Sequence, residues 1–435
     1  MDDQIRVLLA DQYDLVVGDT FQLFYRSVIE APNPYFYSIV AVCEKGKNFP
    51  RYFEYTPQEE GRHTLTISVY NAQKKLLGTA TTTLNVVSPK QPKRELNVLC
   101  LGDSNMAKGT WVSEVNRRIS GVGGNPEGLG IKGVNFVGSV TSADGSVHYE
   151  GSGGWTWSGY TSTSVGSILI QAPNNKTERD QHSLWQDENG YIWQLESLQV
   201  DYLGLTRYKD HDGPRPEKGI LTHYKNANDT APIEFFSSFD GAVSPFLDKE
   251  TKTISIKKYL ERNNIKDIDV AYLYLGGNGL MRQSAMNKTR HEYCNTVVKE
   301  EACKLIDLIK KDIPNVKIKL VSMALPSVNG GMGSNYGAEI PFTDCYDIIH
   351  YVMELNLTYK NLAKEDKYKD FMEYVDSAAQ FDLEYSYPNV QKPVNVRSST
   401  TERFDTNALH PTYEGNMLIA DSFYRNLIRV IGEIE

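Results

Sequence analysis

The chain is short of four things, and each shortage closes off a class of function. Cysteine is scarce: Cys43, Cys100, Cys294, Cys303 and Cys345 are the only five in 435 residues. No pair has the spacing of a metal finger, and an odd, scattered set does not build a disulfide framework. Such thiols fit a reducing compartment without requiring one. Basic charge is also short, with 46 Lys and Arg against 55 Asp and Glu and a formal net charge of -9. That balance lacks the electrostatic footprint of a nucleic-acid partner or an anionic membrane. No apolar run approaches the length of a membrane span, so no membrane insertion is expected. Met1-Asp2-Asp3-Gln4 lacks the basic, then apolar, opening of an export signal. The expectation is a cytoplasmic protein, or an exported one whose signal has been removed.

What is present describes a folded protein with ample core: 40% hydrophobic and 23% charged residues. At 435 residues the chain suggests two or three domains. Its 27 tyrosines suit either carbohydrate contact or the lining of β-rich regions. Residues 5–9, 21–25, 35–40, 65–70 and 81–87 are rich in β-branched and aromatic side chains, and most of them alternate. Gly18-Asp19, Pro32-Asn33-Pro34 and Glu60-Gly61 punctuate them. Short strands at this spacing predict an antiparallel β-sandwich over 1–90, of immunoglobulin-like style. The stretch from Ser88 to Arg94, with Pro89 and Pro92, reads as a linker.

The remainder is arranged around residues 96–106. Residues 96–101 are a short, mostly apolar run that suits a buried strand, and the run breaks at Gly102-Asp103-Ser104. Trp111, Val112, Val115 and Ile119 then recur at helical spacing. Ser104 therefore falls on the turn at the carboxyl end of a strand, where open α/β sheets place their ligands. There it can act as a nucleophile if a base lies near. That base is available in Asp405-Thr406-Asn407-Ala408-Leu409-His410-Pro411. Pro411 disfavours helix at His410, which leaves the imidazole on a loop before a helix over 414–431. Gly151-Ser152-Gly153-Gly154-Trp155 and Gly276-Gly277-Asn278-Gly279 are loops able to supply donors to a developing oxyanion. Trp155 and Trp157, beside flexible glycines, suit the stacking of a sugar ring.

These four pieces, in this order, resemble the blocks of the SGNH (or GDSL) hydrolases. The resemblance covers roughly residues 96–435. It implies a three-layer α/β/α hydrolase domain over 95–435, with Ser104 as nucleophile and His410 as base. Ser104 N–H, Gly154 N–H and the Asn278 side chain would form the oxyanion hole, with Asp103, Trp155 and Trp157 placed toward substrate. No metal or cofactor is implied. Two positions depart from the pattern: Gly279 stands where the family has Asp, and Asn407 stands where it has the Asp of Asp-x-x-His. An amide can orient an imidazole but cannot stabilise its charged form. Either Asn407 steers a Ser104–His410 dyad, or Asp405 swings in from two residues earlier, or activity is weak or lost.

The pattern leaves the α/β alternation at about 174–232, which reads as a β-rich insertion with a hairpin around Asn189-Gly190. Asp210-His211-Asp212 offers metal-ligand types, but a solvated turn accounts for it as well. Residues 329–337, rich in glycine, read as a lip of the site or a surface loop. The expected function is a serine esterase that frees short, acetyl-type acyl groups from a small molecule or glycan. The alternatives are a weak or inactive glycan-binding protein on a hydrolase fold, or a lysophospholipase or thioesterase.

Overall fold

The structure is a computed structural model. It describes residues 4–163, 167–172, 180, 182–199, 202–207, 218–235, 237–239, 244–248, 250–281, 289–330 and 345–434. Asp210-His211-Asp212 and 331–337 of the glycine-rich loop lie outside the described residues. The chain divides into two compact units, 1–157 with 263–435, and 158–262.

The N-terminal part of the first unit builds seven strands: β1 (Gln12–Val16), β2 (Phe21–Phe24), β3 (Ser38–Val42), β4 (Lys47–Asn48), β5 (Tyr52–Tyr55), β6 (Gly61–Tyr70) and β7 (Leu76–Val87). They form a four-stranded sheet, β1-β7-β6-β3, and a three-stranded one, β2-β5-β4. In β6 the period-2 rule is visible. Leu65, Ile67 and Val69 are fully buried, whereas the outward Thr66 and Ser68 pair with Thr81 and Thr79 hydroxyls at 3.0 Å. The run 5–9 expected as a strand contributes only an isolated bridge, Val7 to Ile29.

β1 has no apolar alternation because its polar residues are committed elsewhere. Tyr13 Oη donates to Asp376 at 2.6 Å, and the Asp14 carboxylate accepts from Asn426 at 2.9 Å and Arg429 at 2.8 Å. Asp19 receives Arg118 and Arg425, each at 2.6 Å. These contacts tie the strands to the α/β core of the same unit.

That core is a sheet parallel except for the two-residue edge strand Val140–Thr141, which pairs antiparallel with His148–Gly151. Its parallel strands are β8 (Leu96–Gly102), β9 (Val134–Val137), β10 (His148–Gly151), β11 (Val270–Tyr274), β12 (Lys317–Val321) and β13 (Met372–Val375). The order β8-β11-β12-β13 is parallel throughout, and β9 and β10 pair with successive halves of the free edge of β8. Val98 to Leu101 are buried without alternation, as a strand covered on both faces demands. Helix α1 (Thr110–Ser120) turns Trp111, Val112, Val115 and Ile119 inward. The Trp111 ring lies 4.1 Å from Phe423 of α5 (Tyr413–Glu433). Between them in sequence come α2 (Gly277–Met281), α3 (Lys299–Asp312) and α4 (Cys345–Leu362). The helix predicted over 291–311 is interrupted by a π turn, Cys294–Val298. No helix among the described residues is long and apolar enough to cross a membrane.

The second unit is a mixed-length antiparallel sheet whose core includes Trp185, Trp193, Leu205, Leu221 and Phe235. The hairpin expected around Asn189-Gly190 is present, pairing Leu184–Gln186 with Ile192–Gln199. Asp187 pins it, accepting from Asn189 N–H and Tyr191 N–H at 2.9 Å and from Trp193 Nε1 at 2.9 Å.

Candidate active site

The carboxyl ends of the strands bring the serine turn, the glycine loops and the histidine loop into one place. β8 ends at Gly102, where a side chain is excluded: a Cβ would lie 2.7 Å from Tyr274 O and 2.9 Å from Met106. The chain then bends through Asp103 and Ser104, closed by Met106 N–H donating to Asp103 O at 3.0 Å. Two residues past the end of β11, Gly276 is held at φ +128, where a Cβ would fall 2.2 Å from Tyr359 Oη. The histidine loop follows the hairpin Asn389–Pro393 and Thr401–Asp405 and precedes α5, whose N-cap Thr412 accepts from Gly415 N–H.

Residues 306 apart thus meet: Ser104 Oγ and His410 Nε2 are 2.9 Å apart. That is hydrogen-bond reach for a nucleophile and its base. On the far side of the ring, Asn407 Nδ2 stands 3.3 Å from His410 Nδ1. Asn407 Oδ1 accepts the backbone N–H groups of Leu409 and His410, both at 2.9 Å. Two donors on one oxygen fix which way the amide faces, so its NH₂ group faces the imidazole. The Asp405 carboxylate is fully buried and engaged elsewhere, accepting from Arg403 Nε at 2.7 Å and from Ser327 Oγ. The structure thus places Asn407, and not Asp405, beside the imidazole.

The oxyanion candidates converge on the same turn. Among the described residues neither Ser104 N–H nor Gly154 N–H has an acceptor in the protein, and Gly154 sits at φ +74. Asn278 is less free. Its Nδ2 donates to Trp155 O at 2.9 Å and approaches Asp103 Oδ2 at 3.4 Å, so it serves an oxyanion only by giving up the longer contact. Gly279 spends its carbonyl on the Tyr293 hydroxyl at 2.7 Å.

Two expectations toward substrate are corrected. Trp157 is 1% exposed; its Nε1 donates to Tyr359 Oη at 2.8 Å and the rings meet edge-on. It is a core residue under the loop, and partly exposed Trp155 is the aromatic left at the surface. Asp103 is 2% exposed and faces inward, accepting from Asn105 N–H at 3.0 Å. Burial pushes its carboxyl up to about 7, against the hydrogen bonds from Asn105.

Lys108, four residues after the serine, went unnoticed in the sequence. Burial first, and then the Lys108 ammonium, hold the His410 imidazole below its ordinary 6.5. Both disfavour the imidazolium, so the ring is neutral at pH 7. The sign follows: a base must be neutral, and a lowered value extends its neutral range downward. The acid limb of kcat/KM is expected below about pH 6.5. Lys108→Glu, which replaces a destabilising charge with a stabilising one, should move that limb upward. A pH–rate profile of both proteins checks this; an unmoved limb would detach Lys108 from the base.

A cavity of about 510 Å³ runs beside α1, lined by Lys108, Thr110, Ser113 and Tyr413, and Ser104, Gly154, Asn278 and His410 are not part of its lining. Another, of about 870 Å³, opens at the opposite edge of the sheet, where Asn97, Asp269, Lys317 and Met372 begin the strands.

No family model matches the sequence, and no curated protein does. Among solved structures the chain is similar to a peptidoglycan O-acetylesterase, with 10% identity over 78% of this chain and 92% of that one and a TM-score of 0.34. It is also similar to a carbohydrate acetylesterase from Sinorhizobium meliloti, with 13% identity over 77% and 100% and a TM-score of 0.31. An aryl esterase from M. smegmatis matches with 10% identity over 77% and 99% and a TM-score of 0.32. At TM-scores this low the likeness establishes neither fold nor activity for this chain.

Proposed function

We propose that the protein is a serine esterase of SGNH type that hydrolyses short acyl esters, with a glycan as the preferred alcohol portion. The observation that carries this is the 2.9 Å contact between Ser104 Oγ and His410 Nε2, at the strand edge where α/β sheets hold ligands. Ser104 attacks the ester carbonyl while His410 takes its proton. The oxyanion is met by Ser104 N–H and Gly154 N–H, and by Asn278 once it releases Asp103. His410 then returns the proton to the leaving alcohol, and water frees the acyl group by the same path. Partly exposed Trp155 suits the stacking of a ring-bearing alcohol. In this reading 1–90 is an immunoglobulin-like accessory sandwich, and 95–435 is a three-layer hydrolase domain carrying the β-rich insertion.

The test is a rate series on p-nitrophenyl acetate, butyrate and octanoate. Acetate is expected to be cleaved fastest. A rate that climbs with chain length would overturn the short-acyl reading in favour of a lipase or thioesterase with an apolar tunnel. No hydrolysis above the buffer rate across the series would overturn the esterase reading itself and leave a glycan-binding protein.

A further inference from the structure

We propose that Glu30, His350 and Glu354 form a binding site for a divalent transition-metal ion of the zinc type, with His291 holding Glu354 from outside. One ligand atom from each of the three lies within 4.8 Å of the others. Glu30 and Glu354 are 8% and 5% exposed. Glu30 Oε1 and His350 Nδ1 stand in direct contact as an ion pair, and both atoms are closed off from solvent. A proton on Nδ1 bridges them in the metal-free protein, and a metal ion would take its place.

The surrounding groups show how the ligand atoms are aimed. Arg6 Nη1 binds Glu30 Oε2 at 3.1 Å and Glu354 Oε1. It occupies one oxygen of each carboxylate and turns the other toward a histidine. Glu354 Oε2 lies 3.3 Å from His291 Nδ1, whose other neighbour is the Asn295 amide at 3.2 Å. Holding ligating carboxylates from behind is what outer groups do at metal centres. His350 and Glu354 are four apart on α4 and so share one face. One imidazole and two carboxylates match the nitrogen and oxygen preference of zinc, whereas calcium and magnesium prefer all-oxygen sets. Two carboxylates against one guanidinium also leave a net negative charge that a cation offsets. The ion would fasten Glu30, in the N-terminal part, to α4. Its free energy of binding would therefore appear as folding stability.

The experiment strips the full-length protein with EDTA and titrates it with zinc chloride by calorimetry, with calcium chloride as the contrast. Thermal unfolding is followed in parallel. One zinc ion per chain and a midpoint raised by several degrees are expected, with no response to calcium. His350→Ala should weaken zinc binding at least ~10-fold. His291→Ala should weaken it by about 10-fold; this side chain is 73% exposed, so the variant keeps the fold and decides the matter if the first does not. Absence of saturable one-to-one binding would overturn the proposal, as would unchanged affinity in the variants. His350 would then simply donate Nδ1–H to Glu30.

Discussion

Asn407→Asp is expected to raise esterase kcat/KM by ~10²-fold or more, with a ceiling near ~10⁴. The reason is which nitrogen of His410 carries the proton. Asn407 Oδ1 is committed to two backbone N–H groups, so Nδ2–H points at His410 Nδ1. That contact is favourable only when Nδ1 is the acceptor, which puts the ring proton on Nε2, facing Ser104. In that tautomer Nε2 already holds a proton and cannot receive the serine's. The productive tautomer sets two N–H groups against each other and loses a hydrogen bond, a cost of about 1–3 kcal/mol. An aspartate keeps both backbone hydrogen bonds, accepts Nδ1–H, and stabilises the imidazolium of the transition state. The added carboxylate should also move the acid limb of the pH–rate profile upward. Steady-state rates on p-nitrophenyl acetate for the two proteins decide it. An Asn407→Asp protein no faster than wild type would mean that the tautomer is not what limits this site.

The chemistry-bearing parts were legible because each is local. Leu96 to Leu101 is apolar without a break, and Gly102-Asp103-Ser104 interrupts it abruptly; Pro411 fixes where the loop of His410 gives way to α5. Asn189-Gly190 announced its hairpin for the same reason. What the sequence hid depends on partners distant along the chain. β1 reads as polar because Tyr13 and Asp14 are satisfied by Asp376, Asn426 and Arg429, more than three hundred residues away. Trp157 looks like a sugar platform beside its glycines until Tyr359 is seen to cover it. The pair at Asn407 and Asp405 could be separated only by knowing that Arg403 and Ser327 hold the carboxylate. Glu30, His350 and Glu354 could not be grouped at all, since the glutamate and the helix are 320 positions apart.

Ser104→Ala is expected to lower ester hydrolysis by only about 10²-fold in the wild-type background. An intact serine triad is worth ~10⁶ in kcat and its orienting carboxylate ~10⁴ of that, which leaves ~10² to a Ser–His pair without it. The residual rate comes from binding and the oxyanion donors, which alanine at 104 leaves in place. His410→Ala should cost the same, and the double variant no more than either single one, because a nucleophile without its base and a base without its nucleophile are equally idle. The coupling to Asn407 gives the sharper figure. In an Asn407→Asp background the same Ser104→Ala change should cost toward ~10⁶, since the serine's contribution is then expressed in full. Measuring the four combinations of residues 104 and 407 on p-nitrophenyl acetate yields that interaction directly. Equal costs of Ser104→Ala in both backgrounds would show that Asn407 does not act through the serine's base. Independent losses from Ser104→Ala and His410→Ala that multiply would show that the 2.9 Å contact is not a proton path.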